Sequence, residues 1–195
     1  MREILLASTN KGKISEFNKL LVDSNLKIVS LDEIGKRIPA PEETGKTFKE
    51  NALEKARYYS HESGYVCIAD DSGLEVDALD KRPGINSARF IKGTDVDRYM
   101  SILKELDSST NRSARYVCLL AYVDINKKIE KTFRGTLEGK IGNGPKGVNG
   151  FGFDPIFVPE GYNQTVAELG IEVKNKISHR ARAIQKMKKW LEDNN

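Results

Sequence analysis

Scarcity narrows this sequence first. It has two cysteines in 195 residues. Cys67 and Cys118 each lie inside an apolar, strand-like run, far apart and in no CxxC or zinc-type cluster. Such thiols behave as small buried hydrophobes and fit a reducing compartment. No apolar run approaches the length that crosses a bilayer, and the apolar part of MREILLASTN is too short for a signal-peptide core. The expectation is a cytoplasmic protein with no membrane partner. Charge of one sign is scarce as well: 32 Lys and Arg against 28 Asp and Glu leave +4, with the signs interspersed. That excess is too small to imply a nucleic-acid partner. There is no internal repeat, low-complexity segment or clear linker. What is present, 38% hydrophobic residues, suffices for the core of one domain or two tightly joined lobes.

The patterning alternates strands and helices. Residues 3 to 8 read as a buried strand, and KGKISEFNKLLVDS then puts Ile14, Phe17, Leu20 and Leu21 on one helical face. LKIVSL reads as a second strand, followed by an irregular, acidic loop, RIPAPEETGK. Thr47 with Glu50 three residues on predicts a capping box, and Phe48, Ala52, Ala56 and Tyr59 give that helix an apolar stripe as far as Gly64. Val66 to Ala69 reads as a buried strand that ends at Asp70, Asp71 and a Ser-Gly turn. GLEVDAL then alternates as a separate, half-buried strand, at an edge or facing solvent on one side. Thr94 is the expected cap of a third helix with Val96, Met100 and Leu103 on one face. SARYVCLLAYVD and KIEKTFRGTLEGKI make an antiparallel pair about INKK. A glycine-rich loop leads into the short strand IFV, and a last helix from about Ser178 packs Ile184, Met187 and Leu191. The fold class is α/β with a mixed sheet.

Five places can carry chemistry. STNKGK, residues 8 to 13, is a strand-to-helix turn that offers backbone N–H groups, the positive end of a helix and Lys11 and Lys13 to an anion. It lacks the GxxxxGK[ST] pattern, and alone it reads first as helix capping. Glu42, Glu43, Asp70 and Asp71 form an acidic set that could hold magnesium, which takes a few carboxylates together with substrate phosphates and water. An acidic dipeptide in a loop is otherwise a solvated face, whereas two carboxylates after an apolar run ask for a cation between them. Lys55 by itself fits a surface ion pair. In GVNGFGFDPIF, glycines flank Phe151 and Phe153 before Asp154. Such a loop can stack a nucleobase and accept its N–H groups, or equally anchor aromatics in a core. His179 and Arg180 would fall in the first turn of the last helix, where cations are electrostatically misplaced unless they meet something anionic or hydrogen-bond accepting. His61 reads as an exposed helix-end residue.

Taken in order, LASTNKGKISEF, PEETGKTFKENALEKA, ADDSGL, PGINSARF, GFGFDPIF and KISHRARA resemble the inosine triphosphatase or Ham1-like family of purine nucleoside triphosphate pyrophosphatases, nearly from end to end. The resemblance implies an elongated α/β fold of two lobes with a long mixed sheet and a nucleotide cleft between them. It also implies a homodimer and a magnesium-dependent release of nucleoside monophosphate and pyrophosphate from ITP, dITP and XTP. Carried over by motif, Ser8, Thr9, Asn10, Lys11, Gly12 and Lys13 would hold the triphosphate, with Lys55 countering its charge. Asp71 would be general base and metal ligand, with Asp70 beside it and Ser72 touching substrate. Either Glu42 or Glu43 would reach the metal. Phe151, Gly152, Phe153 and Asp154 would form the base pocket, closed by Lys174, His179 and Arg180.

Three rival readings stand beside it. DDSG also resembles the aspartyl motif of haloacid-dehalogenase phosphatases, but that site wants a second Asp two residues after the first, and position 72 is Ser. A Maf-like pyrophosphatase with another base preference is closer. A nucleic-acid-binding module would need clustered lysines with interleaved aromatics, and here the lysines are scattered.

Overall fold

The computed structural model describes residues 2–22 and 24–194. Along the chain run β1 (Arg2–Leu6), α1 (Lys11–Leu21), β2 (Leu26–Ser30), α2 (Phe48–Ser63), β3 (Cys67–Val76), α3 (Asp95–Glu105), β4 (Ser113–Asp124), β5 (Ile129–Ile141), β6 (Phe157–Pro159), α4 (Val166–Ile177) and α5 (His179–Asp193). The sheet order is β2-β1-β3-β4-β5-β6. β1 pairs parallel with β2 and with β3, and β5 pairs antiparallel with β6. β4 and β5 are neighbours joined by residues 125–128, too few for a crossover, so they are antiparallel. The expected mixed α/β sheet is therefore present.

The chain divides into two compact units, each with its own core. The first comprises the chain up to Asp71, Cys118–Arg134 and the chain from Arg180. There Ile4, Leu6 and Ile68 from β1 and β3 meet Phe17 and Leu21 of α1 and Ile184, Met187 and Leu191 of α5. The second comprises Ser72–Val117 and Gly135–His179, where Leu74, Val76, Ile102, Tyr116, Leu137, Phe153 and Phe157 pack together. Both cysteines are buried free thiols, as expected; burial raises the Cys118 thiol to about 12.

Most helix boundaries follow their local chemistry. Thr47 accepts from Glu50 N and the Glu50 side chain accepts from Thr47 N, closing the expected capping box. Thr94 caps α3 in the same way with Asp97.

Three expectations are corrected. β3 neither stops at Asp70 nor turns at Ser72; it runs unbroken through both aspartates to Val76. Leu74 and Val76 are fully buried, while the β1 pairing ends at Leu6–Ile68, so the GLEV half runs past β1 and carries an isolated antiparallel bridge from Glu75 to Pro83. On α3, Val96 and Met100 are exposed, and the helix buries Ile102 with Tyr99 and Leu103 packed near it. The strip Val96, Met100, Leu103 and the strip Tyr99, Ile102, Leu103 have equally helical spacing, and only the position of the core chooses between them. Lastly, α4 was not foreseen. Thr165 and Glu168 cap it with the same box as α2, but Gly170, at φ 77°, breaks its backbone midway and hides the periodicity. Ser178 lies extended between α4 and α5, and α5 begins at His179.

Candidate active site

The acidic pair owes its setting to the end of β1. β1 pairs with β3 through Leu5–Cys67 and Leu6–Ile68, and Ala7 N–H donates to Ile68 O at 2.8 Å. β3 continues past that point, so Asp70 and Asp71 stand where the β1 chain has turned away into α1. The turn is held by its own polar side chains: Asn10 N donates to Ser8 Oγ at 3.2 Å, and Lys13 N donates to Asn10 Oδ1 at 3.1 Å, making Asn10 the N-cap. Capping is thus what Ser8 and Asn10 visibly do. The same cap sets Lys13 in the first turn, with Nζ 3.0 Å from Asp70 Oδ2.

Asp70 is 2% exposed and Arg180 is 1% exposed. Arg180 donates to Asp70 Oδ2 from Nη2 at 3.1 Å and to Glu16 from Nη1. Two cations and two carboxylates therefore neutralise each other within the first unit, the condition under which burying charge is tolerable. Burial opposes ionisation of Asp70, yet Lys13, Arg180 and Lys55 hold its carboxyl far below the usual carboxylate range. The anion awaiting Arg180 at the start of α5 is in this structure the protein's own.

Asp71 is different. It is 6% exposed, and Asn51 Nδ2 donates to its Oδ2 at 3.0 Å. Burial pushes its carboxyl up, against the pull of Lys55, Asn51 and Lys13. The two neighbouring aspartates thus have proton affinities shifted in opposite directions, Asp70 downward and Asp71 upward. Lys55 Nζ meets Glu43 Oε1 at 2.7 Å and Asp70 O at 3.2 Å. Burial works against its charge, but Glu43, Asp70 and Asp71 together raise its pKa. The structure therefore brings Glu43 to this group. Glu42 is exposed, with no hydrogen bond or ion pair to a described residue.

In the second unit the glycine-rich loop is organised by Asp154, which is 2% exposed. Its Oδ2 accepts from Lys174 Nζ at 2.6 Å and Phe151 N at 3.0 Å, and its Oδ1 from Tyr116 Oη at 3.2 Å. A Cβ on Gly150, at φ 84°, would lie 2.1 Å from Asp154 Oδ2, so only glycine fits there. Lys174 Nζ also sits 4.2 Å from the centre of the half-buried Phe151 ring. His179 stacks on Tyr116 with ring centres 4.8 Å apart. Gly152 N donates to Asp95 Oδ2 at 2.7 Å, and Phe153 is buried in the core as an anchor.

Of the residues singled out in the sequence, Lys13, Lys55, Glu43, Asp70, Asp71 and Arg180 come together in the first unit, and Phe151, Asp154, Lys174 and His179 in the second. Thr9 and Lys11 are exposed, while Gly12 and Ser72 are half-buried. Glu16, Asn51 and Tyr116 were missed. Asn51 was findable, because it lies four residues before Lys55 and therefore on the same face of α2. Glu16 lies three after Lys13 on α1, whereas nothing local marks Tyr116.

Divalent metal chemistry is testable against this donor set. Among the described residues no three His, Cys, Asp or Glu side chains gather into a closed metal cage. Asp71 Oδ1 has no protein partner among the described residues, and Glu43 stands on the neighbouring Lys55. One or two carboxylates without soft ligands fit magnesium carried by phosphates.

The first unit sets lysines over an acidic pair, a chemistry suited to phosphates, and the second sets an aromatic beside a buried lysine in a glycine loop, a chemistry suited to a ring. The Ham1 family model matches residues 4–190, and the chain belongs to the Ham1 family. It is 44% identical over 196 aligned positions to a dITP/XTP pyrophosphatase of Bacillus licheniformis, covering 98% of this chain and 99% of that one. Against the dITP/XTP pyrophosphatase of Bacillus subtilis it is 42% identical, covering 98% of both. Among solved structures, a HAM1 protein from Coxiella burnetii superposes with a TM-score of 0.90 at 38% identity, covering 99% of this chain and all of that one. The Ham1 protein of Staphylococcus aureus superposes at 0.88, also with 38% identity, covering 100% of both chains.

Proposed function

We propose that this chain hydrolyses non-standard purine nucleoside triphosphates, dITP, ITP and XTP, to the nucleoside monophosphate and pyrophosphate. The observation that carries the reading is its full-length likeness to proteins named for that activity. The grouping of Lys13, Lys55 and Asp71 supplies a chemistry for it.

The phosphate end is assigned to the first unit. Lys13, Lys55 and the N–H groups that open α1 counter the charge of the triphosphate. Asp71, its proton affinity raised by burial, takes a proton from water as the water oxygen attacks the α-phosphorus. The bond from that phosphorus to the bridging oxygen breaks, and pyrophosphate leaves intact. Magnesium, held by Asp71 and Glu43, would supply charge neutralisation at the phosphates. The base end is assigned to the second unit: Phe151 stacks on the ring, with Lys174 and His179 beside it as donors to the purine carbonyls. Arg180 is assigned here to holding Asp70, in place of the base contact expected from the sequence. The protein is read as a cytoplasmic homodimer, for which sedimentation of the purified chain is the direct check of assembly.

The test is a panel of dITP, ITP, XTP, ATP and GTP with magnesium, analysed for monophosphate and pyrophosphate. The expected outcome is pyrophosphate from the first three and far less from ATP. Orthophosphate released without added inorganic pyrophosphatase would overturn the reading in favour of a phosphatase. Equal use of ATP would overturn the base assignment.

A further inference from the structure

Asn51 has a buried side chain that the phosphate and metal assignments leave unused. It lies in the opening turns of α2, is 1% exposed and gives its Nδ2 to Asp71 Oδ2 at 3.0 Å. An ionised carboxylate only accepts hydrogen bonds, so the amide must turn its NH2 group toward Asp71. The amide oxygen is thereby committed to the other side, where it is buried and finds no donor among the described residues. An unpaired buried acceptor costs stability, and an apolar residue of similar size would fill the site without that cost. Packing is therefore a poor account of an asparagine at this position.

What lies against that oxygen is Gly45. A Cβ there would come within 2.5 Å of Asn51 Oδ1 and 2.8 Å of Asn51 N. No side chain longer than hydrogen fits. The backbone of the acidic loop thus closes over the amide, and the loop is pinned to α2 on both sides of Gly45: Glu43 to Lys55 at 2.7 Å, and Lys46 N to Glu50 Oε2 at 2.7 Å. The amide is clamped between Gly45 and Asp71.

From this geometry we infer that Asn51, locked by Gly45, is a positioning residue that sets the plane of the Asp71 carboxylate. The inference rests on the reading of Asp71 as the group that activates water. Rotation about the last bond of an aspartate is broad and roughly two-fold, so a carboxylate held by no directional bond swings freely. With Oδ2 tied to Asn51, the oxygen left to face the metal and the water is Oδ1, which has no protein partner among the described residues. Positioning of this kind acts on the chemical step and not on nucleotide affinity, and misplacing a reacting group by an ångström costs on the order of 100-fold.

The experiment compares steady-state dITP hydrolysis by wild type, Asn51→Leu, Gly45→Ala and Asp71→Asn, with thermal unfolding of each. Asn51→Leu is expected to lower kcat by roughly 10- to 100-fold with KM changed by less than about three-fold. Gly45→Ala, whose new Cβ would meet Asn51 Oδ1, is expected to move kcat in the same direction by displacing the amide. If Asn51→Leu does not fold, Gly45→Ala decides. A lowered kcat at unchanged KM in folded protein supports the inference. Wild-type kcat, or a change confined to KM, overturns it. Failure of the parent reading is separately visible: an active Asp71→Asn removes Asp71 from the chemistry, whereas an inactive Asp71→Asn beside a fully active Asn51→Leu sinks the positioning role alone.

Discussion

Asp70 and Asp71 differ by one position and by everything around them. Asp70 is surrounded by Lys13, Arg180 and Lys55, which keep it ionised, while Asp71 faces burial with weaker compensation. A carboxylate that already answers two cations is a poor base, and one whose proton affinity is raised is a better one. Asp71→Asn is therefore expected to lower kcat by about 10²- to 10⁴-fold, measured as pyrophosphate release, with circular dichroism unchanged. On the proposed reading the lysines act on phosphate charge and not on the base. Lys55→Ala should weaken use of every triphosphate, and the ratio of kcat/KM for dITP to that for ATP should stay constant. A strong change in that ratio would detach Lys55 from the phosphate end.

At the scale of elements, the site depends on joints between strands and helices. Arg180 ties the start of α5 to α1 through Glu16 and to β3 through Asp70. Removing one partner from such a group leaves carboxylates buried without their counter-charge, which costs about 3–5 kcal/mol. Urea unfolding of Arg180→Ala should show a loss of that size at pH 7, and an unchanged midpoint would contradict the network. The glycine-rich loop hangs on Asp154 and on the space left by Gly150. Gly150→Ala is strained both by its positive φ and by a Cβ placed 2.1 Å from Asp154 Oδ2. With Phe151 and Lys174 both held through Asp154, the substitution should lower kcat/KM for dITP and narrow the preference over ATP, read from competing substrates.

For the whole molecule, several carboxylates are held below their usual pKa: Asp70 by Lys13 and Arg180 against burial, Asp77 by Arg115 and Lys81, and Glu130 by Arg57. In each case the unfolded chain takes up protons first as pH falls, so the stabilisation is full above the unfolded pKa values of about 3.9 to 4.3 and is lost as pH drops through them toward the folded values. The melting temperature should hold down to about pH 5 and fall below that, with Asp77→Asn flattening the slope if the Arg115 contact contributes. Periodicity and capping chemistry, which are local, were enough to place α1, α2 and the strand pair, and the ordered motifs pointed to the family. The sequence by itself determined which residue types were available: lysines after β1, an acidic loop, a double aspartate and an aromatic between glycines. Only the tertiary structure decided how they are used. It ran β3 unbroken through the aspartates, spent Arg180 on Glu16 and Asp70, set Glu43 against Lys55 and gave Asp71 to Asn51. Those choices rest on contacts between residues far apart in the chain, such as the 110 positions separating Arg180 from Asp70. Burial and neighbouring charge, which set each group's proton affinity, exist only once such contacts have formed.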